Sequence, residues 1–464
     1  MRDCAATALR RSLAVLVAAL ITSPPLVAQP AFPGAVGYGS DATGWRGGRI
    51  LTVTTLDDEG PGSLRACAEA EGPRICVFHV AGTIAVSRPI FVRSDAYIAG
   101  QTAPGDGVQL RLDGSDHGPL IIKNANDVLI RYLKLRPGPS VQPSPAISAV
   151  LVENGQRVYL DHLSMAFATD QTFSIHASAG LTADITLANS LLAFSLDHST
   201  HPKGRHSKGA LICSIDAPST GCGRITLWRN LFAHHRDRNP DVNATDTGPV
   251  EIVNNVFYDP ISQFGEYYNL AGETRIVHVG NITMPGPSTI SRTPPAVEVF
   301  LLAEGNSFEI TARDNMALAN ISCESGAAGV VLSPQAQRLA TDRLDVSPGL
   351  PILPVHGLLD GVLASAGDAL HRDALDERAI LDVQTCGGRV IDHPDEAGGW
   401  PELEFSSGPQ DTDSDALPDA WEQMQADLDP ERADDPWGTD PGSGLSRIET
   451  YLSVLAGDIP SAGR

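Results

Sequence analysis

Basic residues are in short supply in this chain. Lys and Arg number 33 against 56 Asp and Glu in 464 residues, a formal net charge of −23. That balance excludes a nucleic-acid partner, because phosphate binding needs a broad basic face. Aromatics make up only 5%. Long amphipathic helix patterns are scarce before residue 340. This speaks against βαβ units, which need a helix between strands. No apolar run after residue 28 is long enough to cross a bilayer, so no membrane partner is expected. No cysteine pair has the CxxC spacing of a zinc site. Gly (44) and Pro (34) are plentiful instead. Length suggests two or three domains, but this composition points to one large β-rich domain.

Residues 1–28 read as a leader. Arg2, Arg10 and Arg11 precede an apolar stretch, Ser12–Ile21, too short to span a membrane, and Leu26-Val27-Ala28 offers a small residue for cleavage. The mature chain is expected to be exported, soluble and monomeric. Cys4 leaves with the leader, and six cysteines remain: Cys67, Cys76, Cys213, Cys222, Cys323 and Cys386. An even number in an exported chain favours disulfides. Cys67 with Cys76 and Cys213 with Cys222 would each close a short loop, leaving Cys323 for Cys386. Sequence alone does not fix that connectivity.

The middle of the chain repeats. DVLIRYLKLRP from Asp127 is echoed by RVYLDHLSMAF from Arg157, DITLANSLLAF from Asp184 and RITLWRNLFAH from Arg224. PVEIVNNVFYD from Pro249 and RIVHVGNITMP from Arg275 continue the series. Each begins with alternating apolar residues, the mark of a strand with one buried face. Asn230, Asn255, Asn281 and Asn315 each precede an apolar residue. The spacing, mostly 25 to 32 residues, suits an all-β, right-handed parallel β-helix with one coil per repeat. Stacking would align the asparagines into a hydrogen-bonded ladder. The longest interval lies between Ile185 and Ile225, where a loop is expected to hold His198 to Lys208.

Cations concentrate in one stretch of this acidic chain, His206 to Asn243. It carries Lys208, Arg224, Arg229, Arg236 and Arg238, with His206, His234 and His235. The stretch reads as an anion-binding face. The N-terminal segments AFPGAVGYG, GPGSLRACAEAEGPRICVFHVAGTI and YIAGQTAPGDGVQL, followed in order by LDHLS, HSKG and HHRDRNP, resemble the bacterial pectate lyases of polysaccharide lyase family 1. The resemblance covers roughly residues 31–320. It implies β-elimination across a glycosidic bond of a polyuronate. It also implies Arg238, in the Arg-x-Pro motif, as the base and Lys208, in HSKG, as a carboxylate clamp. A purely structural Arg238 would pair with Asp237 or Asp241. Arg236, His235 and His206 are further substrate-binding candidates, one of His234 and His235 packing and the other facing the groove. The family's calcium ligands point to Asp170 and, less specifically, Asp161, which is otherwise a buried structural residue. One coil earlier, where the family commonly has an Asp, this chain reads Pro145-Ala146-Ile147. That departure puts the groove calcium in question.

From residue 396 the composition turns acidic and rich in Pro and Gly. This divides the chain into a leader (1–28), a β-helix body (31–395) and a tail (396–464). DTDSDALPDAWE places Asp411, Asp413, Asp415, Asp419 and Glu422 at loop positions one, three, five, nine and twelve. That is EF-hand-like spacing for Ca²⁺, with Ala416 where the loop wants Gly. A second half-loop is expected to end near Glu449. Two other readings compete. A β-helix glycoside hydrolase needs clustered carboxylates, and the polygalacturonase motifs are missing. A non-catalytic polysaccharide-binding solenoid needs none, and Pro145 favours it.

Overall fold

The computed structural model describes residues 29–215, 220–291, 294–318, 327–329 and 331–460. Among the described residues three sheets of ten, eight and eleven strands run the length of a parallel β-helix. Each coil contributes one strand to each sheet. Leu120–Lys123 lies in the eight-stranded sheet, Asn126–Arg131 in the ten-stranded and Lys134–Leu135 in the eleven-stranded. The next coil repeats the order with Val150–Glu153, Gln156–Asp161 and Ser164–Ala166.

Alternation in the sequence explains the stack. Val128, Val158, Ile185, Ile225, Val250, Ile276 and Ile310 pair in one register line, coil above coil. All are buried in a single core. Each coil thus buries its apolar face only against its neighbours, the physics of a solenoid. The corner after the ten-stranded sheet turns through the left-handed region at Tyr132, His162, Asn189, Arg229 and Asn254, with φ between 47° and 57°. For residues other than Gly this costs about 1–2 kcal/mol each, so the corner persists only because hydrogen bonds beside it are complete. The expected asparagine ladder supplies them. The backbone N–H of Asn230 donates to Asn255 Oδ1 at 2.9 Å. Asn255 N–H donates to Asn281 Oδ1 and Asn281 N–H to Asn315 Oδ1, both at 2.8 Å.

The turn from the ten- to the eleven-stranded sheet is short, whereas the return to the eight-stranded sheet is long. Residues 136–149 and 194–207 are two such returns. The first lends Pro145, Ala146 and Ser148 to a groove over the eight-stranded sheet. The disulfides Cys67–Cys76 and Cys213–Cys222 form as expected. Cys386 is disulfide-bonded; its expected partner, Cys323, lies outside the described residues, as does the 1–28 leader. No helix among the described residues is long and apolar enough to cross a membrane.

The chain after residue 350 folds back along the coils. Helices Leu358–Ser365 and Ala374–Thr385 pack on the eleven-stranded sheet through Leu358, Val362, Leu375 and Ala379. Buried charges pin them there: Lys134 to Asp368 at 2.7 Å, and Arg136 to Asp373 and Asp376 at 2.6 and 2.7 Å. The tail helix Arg447–Ala456 covers the ten-stranded sheet with Ile448, Tyr451 and Leu452. Beyond it Asp458 reaches buried Arg131 at 2.7 Å.

Candidate active site

Lys208 begins strand Lys208–Ile215 of the eight-stranded sheet, in register with Gln171. Backbone pairing continues from Lys208 to Asp237 in the next coil. HSKG and RDRNP therefore meet at one end of adjacent strands although 30 residues separate Lys208 from Arg238. Lys208 Nζ donates to both oxygens of Asp237, at 2.6 and 2.7 Å. Arg238 sits at φ 59° and is held there by its N–H donating to Glu266 Oε1 at 3.1 Å. Its guanidinium lies 3.5 Å, Nε to Oδ2, from Asp241. Asp241 and Glu266 pair in register and are both mostly buried. Burial pushes the Asp241 carboxyl up to about 7: Arg238 pulls it down, and Glu266 and Asp237 add to the rise. Glu266 is raised too, first by burial and then by Asp237. Lys208 and Arg238 are thus brought together within a cluster of three acids.

Other expected residues fall elsewhere. Arg236 is locked on Asp197, with Nε–Oδ1 2.6 Å and Nη2–Oδ2 2.7 Å, and serves to hold the 194–207 loop. Arg224 pairs with Asp184 on the ten-stranded sheet. Neither His234 nor His235 faces the groove. His234 is fully buried between Asp259 and Asp382. His235 is 1% exposed and meets Thr172 Oγ1 at 3.1 Å. Burial and the nearby His234 lower His235 to about 3. His235 is therefore a packed coil residue, a correction to the substrate-binding expectation. Asp161 is corrected likewise. It is fully buried, with Arg131 Nε at 2.8 Å, Asn189 Nδ2 at 2.9 Å and His162 Nδ1 at 2.9 Å occupying its oxygens. It ties corners of the coil and, fully buried beside Arg131, lies away from the groove.

Asp170 does face the groove. It lines a cavity of about 250 Å³ together with His117, Pro145, Leu151, Ser174 and Leu211. Pro145 and Asp170 thus share one cavity wall. The 194–207 loop brings His206 Nε2 to 3.0 Å and His201 Nε2 to 3.8 Å from Asp170 Oδ1, the two rings stacked at 3.7 Å. His201 was not a sequence candidate. Burial and His206 lower it to about 4, so it is neutral at pH 7. Its Nδ1 accepts the Lys203 N–H at 3.1 Å, which leaves its own proton on Nε2, towards Asp170. One carboxylate and two imidazoles are not the oxygen set that calcium takes. The groove residues do not fit the ion.

The tail loop does fit it. Asp411, Asp413 and Asp415 converge, and Asp415 also converges with Glu422 and Asp434. Both carboxylate oxygens of Glu422, and Asp413 Oδ2, are buried without a hydrogen-bond partner. Burial, with Asp415 and Asp413 beside it, raises Glu422 to about 7. Such orphaned oxygens lose their penalty when a divalent cation binds. Ala416 supplies the sharp turn at φ 77°. Asp419 instead accepts from Thr412 N–H and Oγ1, both at 2.7 Å, and stays outside the cluster, while Asp434 joins it. Glu449 is taken by Arg46 and by capping Ser446, which removes the second half-loop.

Fold and groove together define a parallel β-helix protein with a small cleft over its eight-stranded sheet and a charged cluster beside it. A probable pectate lyase C of Aspergillus flavus is 31% identical over 409 residues, covering 87% of this chain and 89% of that protein. One of Emericella nidulans is 31% identical over 429 residues, covering 92% of each. Among solved structures, jun a 1, the major allergen from cedar pollen, matches with a TM-score of 0.53 at 17% identity over 72% of this chain and 92% of that one. No protein-family model matches. The chain belongs to the pectate lyase family. Both curated relatives are fungal, so the comparison carries the family and not its bacterial branch.

Proposed function

We propose that this protein is an exported, monomeric polysaccharide lyase that cleaves pectate or a related polyuronate by β-elimination. In this reading residues 31–395 form the lyase body and residues 396–464 a calcium-loop tail, behind a leader of residues 1–28. The proton at C5 of a uronate is very weakly acidic while the adjacent carboxylate is ionised. Elimination therefore needs cations over that carboxylate and a base at C5. Lys208 is the clamp, exchanging Asp237 for the substrate carboxylate. Arg238 is the base. His206, beside Asp170, adds a donor at the far side of the cavity. Calcium bound in the tail holds that loop together and takes no part in the chemistry.

The observation that carries this reading is the convergence of Lys208 and Arg238 at one end of the groove. Incubation with polygalacturonate and with methylated pectin, followed by ultraviolet absorbance of the unsaturated product, tests it. Growth of that absorbance is expected, with EDTA leaving the initial rate on fresh enzyme largely intact. Pro145 in the groove favours a second reading, a polysaccharide-binding β-helix without activity. Substrate binding with no absorbance change would select it.

A further inference from the structure

Arginine is a poor base because its guanidinium keeps its proton throughout the ordinary pH range. If Arg238 is the base, something next to it must take that proton at the moment of reaction. Three carboxylates surround it. Asp237 is held by Lys208 through both oxygens, and among the described residues no ion pair joins it to the Arg238 guanidinium. Glu266 accepts from the Arg238 N–H and from Tyr268 Oη at 3.1 Å each. Asp241 remains. Among the described residues its ionic partner is Arg238, an ion pair of 3.5 Å from Oδ2 to Nε, and no side chain hydrogen-bonds to it, so its oxygens are free to close on that guanidinium. It stands on the strand Asp241–Val242, in register between Leu211, which lines the cavity, and Glu266.

We infer that Asp241 is the proton partner of Arg238, taking the Nε proton so that the guanidine accepts the C5 proton of a bound uronate. The inference rests on the reading of Arg238 as base. The step balances. The Nε–H bond breaks as the Oδ2–H bond forms, leaving a lone pair on Nε, and the C5–H bond breaks as that lone pair forms a new Nε–H bond. The C5 electron pair becomes the C4=C5 double bond, and the C4–O4 bond breaks. O4 takes a proton from water, and Asp241 returns its own to water. Guanidinium and carboxylate are restored. An aspartate with an ordinary pKa would hold this proton too weakly. Burial, which lifts Asp241 to about 7, narrows the gap. The groups facing it from the adjoining strands are Lys208 on one side and Glu266 and Tyr268 on the other, with Arg238 and Asp237 on its own segment. Asp241 acts through Arg238 and so positions and poises the base.

The test is the pH profile of elimination in Asp241→Asn, which keeps shape and removes the acceptor. Wild-type kcat should rise with pH through about 7, as Asp241 deprotonates. In the variant kcat should fall about a hundredfold or more, as for loss of an acid–base group. KM should stay within about threefold, and the limb near pH 7 should vanish. Asp241→Glu should recover part of kcat with a displaced limb. Circular dichroism checks that the strands persist, and if Asp241→Asn does not fold, Asp241→Glu carries the test through the displaced limb. Near-wild-type kcat with the limb in place overturns the inference while leaving the lyase reading intact. A wild-type protein without elimination activity overturns that reading, and this inference with it.

Discussion

If Lys208 is the clamp and Arg238 the base, they carry different parts of one reaction, and substitution should separate them. Arg238→Lys keeps charge but changes geometry and proton affinity, so kcat on polygalacturonate should drop about a hundredfold or more. Lys208→Ala should raise KM as well as lower kcat, because its partner carboxylate is charged in ground and transition states alike. It also leaves Asp237 unpaired beside Asp241 and Glu266. Steady-state kinetics of the two variants check this; Arg238→Lys with near-full activity would move the base elsewhere. Their pairing as candidates was legible in the sequence because HSKG and RNP are short local motifs, and the coil stacking brings the two side by side. His201, Asp434 and the poise of Asp241 were not. Each depends on a contact between segments far apart in the chain, such as Asp170 with the 194–207 loop, and that loop has no periodicity to place it. His235 misled for the converse reason. Its neighbours in HHRDRNP carry the motif's cations, but its own ring packs in the coil interior against Thr172.

At the scale of the element, the coil was readable because every repeat buries the same face. The ladder shows why asparagine recurs at the corner. Asn255 fills it on both sides: its N–H and Nδ2 donate to Asn281 Oδ1, while its own Oδ1 accepts from Asn230. Asn255→Ala strands the Asn230 N–H in the interior and removes a member of a buried network, so it should cost about 1–3 kcal/mol. The same change at the ladder's end, Asn315→Ala, should cost less, because that residue is partly exposed. Urea unfolding of the two variants measures the difference; equal losses would show that the ladder is not cooperative. Less legible was how the chain after residue 350 meets the coils. Lys134 and Arg136 look like surface cations in KLRP, yet both are fully buried against Asp368, Asp373 and Asp376.

Those buried pairs set the acid limit of the whole molecule. Burial pushes the Asp368 carboxyl up, but Lys134 and His371 outweigh it and hold it well below the usual range. Asp161 is likewise raised by burial and lowered further by His162 and Arg131. A depressed carboxylate contributes stability that is fully present above its unfolded pKa of about 3.9 and is lost as pH falls through the folded value. Thermal unfolding should therefore weaken progressively below about pH 4. Lys134→Met breaks the pair, leaves Asp368 charged and buried, and should cost about 3–5 kcal/mol at pH 7. The cost should shrink by pH 3, where Asp368, left with His371 as its only charged partner among the described residues, takes up a proton. A loss independent of pH would mean that packing, not charge, holds the helix there.

The tail joins this scale because it is both a metal loop and a cover. Ile448, Tyr451 and Leu452 lie on the same apolar cluster as Trp45 and Tyr97, and Trp437 Nε1 donates to Gly48 O at 2.9 Å. Calcium that gathers Asp411, Asp413, Asp415, Glu422 and Asp434 should therefore be felt by the β-helix. At a hundredfold excess over its dissociation constant it adds about 2.7 kcal/mol, a Tm rise of a few degrees. Glu422→Gln should abolish the rise and the heat of calcium binding together. Ala416→Gly relieves a residue with a Cβ at φ 77°, and should strengthen calcium binding. Deleting residues 396–464 should remove that binding event and lower Tm, since Arg131 then loses Asp458. The strand signal should remain, because each coil depends mainly on its neighbours. Collapse of that signal on deletion would make the tail an obligatory cap rather than a calcium-tightened one.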